Sequence, residues 1–236
     1  MPVRVYTHLY RQTRALPNLD IIEVGAGSGT ATIAMALAIR DAGRDARIIS
    51  IEKCEGGSRL EHGDAATNLR LLETNLVHFG VRDGVLLYPH AITRDSGSEI
   101  LKSVRTHEIS ALIHDADGRI DRDFALFWSI LQPGGLIVVD DYENRATFRP
   151  VSPRFPDGGT KSVVTFKLLN QFIDWGLVKR NRVIGNTFFG YKPANADFGR
   201  FSAERCLDIV RQVESVRDAQ LKGRDGRRNE PLRESR

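Results

Sequence analysis

Two short stretches of the chain carry residue types suited to group transfer. The first is Ile21-Ile22-Glu23-Val24-Gly25-Ala26-Gly27-Ser28-Gly29-Thr30. Glycines at alternate positions let the backbone turn sharply and let a ligand approach without Cβ clashes. A helix starting just beyond adds free N–H groups and a positive dipole end, which suit a carboxylate or a phosphate. A bare strand-to-helix turn needs one glycine, not three. The dinucleotide fingerprint G-x-G-x-x-G is not met, because the third glycine comes one residue early. Glu52 closes the run Ile48-Ile49-Ser50-Ile51. An acid there accepts both hydroxyls of a ribose, a contact that fits NAD and S-adenosylmethionine equally. The alternative is a surface glutamate, against which stand four preceding residues of mostly buried type.

The second stretch is a set of acids in two places. One run is Leu112-Ile113-His114-Asp115-Ala116-Asp117-Gly118, the other Leu136-Ile137-Val138-Val139-Asp140-Asp141-Tyr142. Each acidic group follows an apolar run of strand type. In an open α/β sheet, ligands bind beyond the carboxyl ends of the strands, so four carboxylates would converge on the rim that holds Glu52. Like charges so close are costly unless a cation neutralises them. Oxygen-only ligands suit Mg²⁺, with water and substrate oxygens completing the shell. Helix caps and solvated loop ends are the plainer reading of the same acids.

The elements that must position these residues follow from the apolar pattern. Strands are expected at Leu19–Val24, Arg47–Ile51, Val85–Tyr88, Ile109–Ile113, Gly135–Val139, Leu177–Ile184 and Thr187–Lys192. Several are unbroken apolar runs, as in strands covered on both faces. Helices are expected at Thr30–Asp41, Glu61–Phe79, Ser96–Arg105, Asp121–Leu131 and Lys161–Asp174. Regular alternation of strand and helix implies a Rossmann-like, mostly parallel seven-stranded sheet with helices on both faces. Only Gly185 and Asn186 separate the last two strands, which reads as a hairpin and makes the end of the sheet antiparallel. Pro150 to Thr160, rich in proline and glycine, is a loop leaving the same rim and a candidate lid.

With these features in place the chain resembles the class I S-adenosylmethionine-dependent methyltransferases. Their first motif, an acid followed by G-x-G-x-G, is matched by Glu23, Gly25, Gly27 and Gly29, and the resemblance spans roughly residues 5 to 192. It implies that Glu23 and the turn Gly25, Ala26, Gly27 and Gly29 hold the methionine part of S-adenosylmethionine. It assigns Glu52 to the ribose and places Pro89-His90-Ala91-Ile92, notably His90 and Ala91, beside the adenine. The acids are similar to those of the metal-dependent O-methyltransferases of catechol and sugar type. That likeness implies Mg²⁺ held by Asp115, Asp140 and Asp141, with Leu131-Gln132-Pro133-Gly134-Gly135 as the turn before the fifth strand. The catechol enzymes place a lysine base three residues after the first metal aspartate, and here that position is Gly118. Arg119 follows, but a guanidinium stays protonated. Asp117, His114 or the ligand Asp115 itself is then left as the base. Tyr142 and Phe148 flank the acidic pair as candidate substrate shelves.

Composition sets the outer limits. The chain has 236 residues, 41% hydrophobic and 27% charged, which fits a globular protein with a sizeable core. The nearly apolar stretch Thr30–Ile39 is about half of the ~20 residues a bilayer span requires. No apolar segment follows Met1, and Cys54 and Cys206 lie far apart, so a reducing cytoplasm is the expected home. Eight of the basic residues and five of the acidic ones fall after residue 210, leaving a core near neutrality and no call for a nucleic-acid groove or a membrane surface. One methyltransferase domain over 1–200 is expected, followed over 201–236 by a helix and a charged tail, disordered from about Ala219.

The expected activity is Mg²⁺-assisted O-methylation of a small-molecule hydroxyl, a sugar or a diol. A metal-independent methyltransferase of the same fold is the nearest alternative. A nicotinamide oxidoreductase and a non-catalytic S-adenosylmethionine-binding protein stand further off, since no tyrosine has a lysine four residues on. A homo-oligomer is left open.

Overall fold

The computed structural model describes residues 1–55, 64–149 and 158–228. Seven strands form one sheet: β1 Asp20–Val24, β2 Ile48–Ile51, β3 Val85–Tyr88, β4 Ile109–His114, β5 Leu131–Val139, β6 Lys179–Ile184 and β7 Thr187–Tyr191. Their order is β3-β2-β1-β4-β5-β7-β6. The first five are parallel, and β7 runs antiparallel to both β5 and β6. The expected fold class, including the terminal hairpin at Gly185-Asn186, is therefore the one observed.

Strand residues alternate between two cores. Ile22, Leu112 and Ile137 face one side, which α4 (Arg94–Ser103), α5 (Ile120–Phe127), α6 (Thr160–Asp174) and α7 (Ala203–Arg228) cover with Ile100, Phe124, Phe127, Phe172 and Ile209. Ile21, Ala111 and Leu136 face the other, under α1 (Val3–Arg14), α2 (Thr30–Asp41) and α3 (Ala65–His78), which supply Leu9, Met35 and Leu72. Burial on both faces is why β1, β2 and β4 read as unbroken apolar runs.

Four differences from the sequence expectation have local causes. Helix α1, outside the sequence expectation, is polar in overall composition and buries Val5, Leu9 and Thr13, four apart on one face. Helix α5 ends at Phe127, and β5 begins at Leu131, so the segment Leu131–Gly135 belongs to the strand, with Gly134 at φ 75° where the register shifts. Tyr142 and Phe148 are core residues, not substrate shelves: Tyr142 packs on Phe166 and Phe188, and Phe148 is buried. Helix α7 runs on to Arg228, past the expected loss of order at Ala219. Gln220 ties it down by accepting from Phe148 N (3.1 Å) and donating to the Ala146 carbonyl (3.2 Å). Residues 229–236, the start of the expected Glu61–Phe79 helix and most of the expected lid (150–157) lie outside the described residues.

The ladder continues beyond the strand ends and sets the rim. Gly25 N donates to Ile51 O (2.8 Å), Glu52 N to Tyr88 O (3.0 Å), Asp115 N to Val24 O (2.8 Å) and Asp140 N to His114 O (3.0 Å). Parallel pairing thus brings the glycine turn, Glu52 and the acids to one edge.

Candidate functional site

A cavity of about 1040 Å³ opens at this edge, lined by Gly25, Ala26, Gly27, Glu52, His90, Ala91, Asp115, Asp117, Asp141 and Lys161 among others. Its two ends differ in chemistry.

One end is built around the glycine turn. Gly25 has φ +93°, and a Cβ there would fall 2.2 Å from the Asp115 carbonyl oxygen, so only glycine lets β1's turn lie against the chain leaving β4. Glu52 is buried and accepts from Gly27 N (2.7 Å) and Cys54 N (2.8 Å), which fixes its carboxylate while it still lines the cavity. Each carboxylate oxygen of Glu52 thus accepts one backbone N–H. His90 and Ala91, just beyond β3, also line the cavity.

Glu23 and Gly29 sit behind the turn instead of on the cavity wall. Glu23 is fully buried, accepts from Thr32 Oγ1 (2.6 Å) and Ser50 Oγ (3.0 Å), and leaves Oε1 without a partner. Burial, with the Asp115 and Glu52 carboxylates nearby, pushes its carboxyl up to about 7. Gly29 caps α2 at φ 90°, with Leu72 against it.

The other end holds the acids. Asp115, Asp140 and Asp141 each offer an oxygen, and these lie within 4.8 Å of one another. Burial and the Asp115 carboxylate push Asp140 up to about 6, the mark of carboxylates short of positive charge. The β6–β7 hairpin positions the pair. Thr187 Oγ1 donates to Asp140 Oδ1, Asn186 Nδ2 to Asp141 Oδ1 (3.1 Å), and Asn186 O accepts from Tyr142 N (2.7 Å). Asp141 takes φ 58°, the left-handed region that aspartate tolerates better than most residues. All three side chains fit a hard divalent cation by donor type and spacing.

Among the described residues the acids also meet a cation of the chain's own. Lys161, in the first turn of α6, places Nζ 3.1 Å from Asp115 Oδ1 and 2.7 Å from Asp141 Oδ2. Burial alone would lower its pKa; Asp115 and Asp141 outweigh that and raise it. The residue was not singled out by sequence, although a signal existed: a lysine at the positive end of a helix opposes the dipole and needs another reason to be there. Its backbone also accounts for Gly118. A Cβ at Gly118 would meet the Lys161 carbonyl oxygen at 3.0 Å and Thr165 Oγ1 at 3.2 Å at a φ of +84°, so a side chain there would be crowded and strained.

The candidate bases separate clearly. His114 is sealed from the cavity, its Nε2 3.0 Å from the Asp123 carboxylate. Asp117 lines the cavity, with Arg122 Nη1 3.0 Å away and Arg119 N donating at 3.1 Å. Burial would raise its carboxyl, but Arg122 prevails and holds it below the ordinary value. Tyr6 of α1 and Arg145 and Arg149 of the loop after β5 also line the cavity, and no sequence motif marks them.

A family model described as a methyltransferase domain matches residues 22–142, which spans the glycine turn, Glu52 and the acidic runs. The chain belongs to the class I S-adenosylmethionine-dependent methyltransferases. A search of curated proteins gave no match. Several solved structures share the methyltransferase fold. The O-methyltransferase TomG from Streptomyces achromogenes, involved in tomaymycin synthesis and solved with S-adenosylmethionine, is 18% identical, with TM-score 0.56 over 82% of this chain and 81% of that one. An O-methyltransferase from Bacillus cereus, in complex with S-adenosylhomocysteine, is 15% identical, with TM-score 0.55 over 81% and 82%. The O-methyltransferase NovP is 15% identical, with TM-score 0.53 over 81% and 80%. At such identities the likeness speaks for the fold of this methyltransferase. Among the described residues no helix is long and apolar enough to cross a membrane.

Proposed function

We propose that this methyltransferase transfers the methyl group of S-adenosylmethionine to a hydroxyl oxygen of a small molecule, a sugar or another vicinal diol, with assistance from Mg²⁺. The observation that carries the reading is the grouping of Asp115, Asp140 and Asp141 within 4.8 Å, with Asp115 and Asp141 lining the same cavity as the glycine turn and Glu52 and Asp140 buried behind them. The O-methyltransferases TomG and NovP share the fold and lend it support.

Gly25, Ala26, Gly27 and Glu52 would hold the cofactor by its amino-acid and ribose parts, and His90 and Ala91 would border its base. Asp115, Asp140 and Asp141 would hold the cation. When bound, Mg²⁺ supplies Lewis acidity that lowers the pKa of a chelated hydroxyl. The chain's own part is positional. The oxygen must lie in line with the sulfonium and about 3 Å from the methyl carbon. Asp117, which lines the cavity and pairs with Arg122, would accept the hydroxyl proton. The oxygen–carbon bond forms as the carbon–sulfur bond breaks, the electron pair stays on sulfur, and S-adenosylhomocysteine leaves. A metal-independent transfer is the second reading, favoured by the Lys161 ammonium already among the acids.

The test is methyl transfer from labelled S-adenosylmethionine to a panel of sugars and catechols, with and without EDTA. The metal-assisted reading expects EDTA to abolish turnover and to leave S-adenosylmethionine affinity nearly intact. Asp141→Asn should mimic EDTA in part, since an amide oxygen still coordinates, and Asp141→Ala should cost more. Full turnover in excess EDTA would select the second reading, and binding of NAD in place of S-adenosylmethionine would overturn both.

A further inference from the structure

The acid cluster holds a cation supplied from an unexpected element. Lys161 Nζ contacts Asp115 at 3.1 Å and Asp141 at 2.7 Å, two of the three carboxylates that converge there. The lysine comes from the first turn of α6, where the helix dipole opposes a positive charge. It therefore owes its place to the carboxylates and not to the helix. Its backbone is fixed against Gly118, whereas its ammonium rides on a flexible four-carbon stem beside an open cavity. An ammonium and a hard divalent cation cannot share the same oxygens at contact distance, because the two positive charges repel and the metal demands its own oxygen shell.

We propose that Lys161 is an internal counter-ion that competes with the divalent cation for Asp115 and Asp141. It holds the carboxylates together while no metal is bound and withdraws into the cavity when one arrives. The proposal rests on the metal-assisted reading above. It makes metal affinity weaker than three converging carboxylates would otherwise give, and makes Lys161 a positioning residue for the metal ligands.

The experiment is calorimetric titration of the full-length chain with Mn²⁺ alone, for the unaltered protein, Lys161→Met and Lys161→Arg, alongside thermal melting with and without Mn²⁺. Lys161→Met should bind Mn²⁺ at least tenfold more tightly than the unaltered chain, while Lys161→Arg, which keeps the charge, should stay within threefold. Without metal, Lys161→Met should melt below the unaltered chain, and saturating Mn²⁺ should raise its Tm by the larger amount. Lys161→Gln replaces Lys161→Met if that variant does not fold, with the same expected direction. Binding by the unaltered chain that is equal to or tighter than that of the charge-free variant overturns the competition and leaves the metal reading standing. An equal gain in Lys161→Arg also overturns it, because charge would not be the cause. No Mn²⁺ binding by any of the proteins overturns the metal reading, and the competition with it.

Discussion

The two ends of the parallel sheet treat buried carboxylates in opposite ways. At the amino end of β1, Asp20 is one acid between two guanidinium groups. It accepts from Arg47 N and Nη2 at 3.0 Å and from Arg105 Nη2 at 3.0 Å and N at 3.2 Å. Although burial would raise it, the bonds to Arg47 and Arg105 hold its carboxyl below the ordinary value. At the carboxyl end, two of three clustered aspartates contact a single lysine, and Asp140 and Glu23 are both pushed upward. A buried acid in a structural role collects enough positive charge to stay ionised. The rim leaves its acids under-compensated, which is the expected state of a site that awaits a ligand.

The sharpest way to break the carboxyl end is Gly25→Ala. The added Cβ would collide with the Asp115 backbone, and the left-handed φ would be strained as well. Overpacking and strain together predict a loss of about 4 kcal/mol, with loss of S-adenosylmethionine binding. Denaturant melts and cofactor calorimetry check it; a stable variant that binds normally would show that the two loops part easily.

The amino end should be fragile in a different sense. Asp20→Ala strands two arginines, which recover some solvation because Arg105 and Arg47 are partly exposed. A loss of about 3 kcal/mol is expected, with cofactor affinity unchanged. Reduced affinity in a folded Asp20→Ala protein would show that the two ends communicate.

A smaller effect separates the ends by pH. Asp20 has a folded pKa below its unfolded value, so its contribution is present above about pH 4 and is lost as pH falls through the folded value. Glu23 has the reverse sign. Its folded pKa of about 7 exceeds the unfolded 4.5, so stability is full below pH 4.5 and declines as pH rises to about 7. Glu23→Gln should remove that decline and gain about 2 kcal/mol at pH 8 relative to the unaltered chain. Tm measured from pH 5 to 8 reads the effect, and parallel curves for the two proteins would show that Glu23 keeps its charge through partners of its own.

The same contrast explains what the sequence revealed. The strands, the glycine turn and the acids were legible because each is encoded by neighbours in the chain: apolar runs, alternate glycines, acids at strand ends. Glu52, His90, Ala91, Asp115, Asp117 and Asp141 were placed on the cavity by strand order alone. Lys161 was hidden because it meets Asp115 across 46 positions, through the packing of α6 against the β4 loop. Helix α1 was hidden because one narrow face suffices to bury it. Glu23 matched its motif, yet its side chain accepts from Thr32 and Ser50, behind the turn it was expected to complete. His114 differs in kind: its neighbours in sequence are the right ones, but side chains alternate across a strand and its ring points into Asp123.

The close approach of Gly25 to Asp115 bears on how such an enzyme can be altered. Backbone touches backbone there, so the donor-binding turn and the first acid move as one rigid piece. A change that shifts either shifts both, and no compensating side chain lies between them to absorb it. The cavity lining also has separable parts, Tyr6 on α1 and Arg145 and Arg149 on the loop after β5. Directed evolution toward new acceptors should therefore accept substitutions at those three positions and reject them at residues 25 and 115.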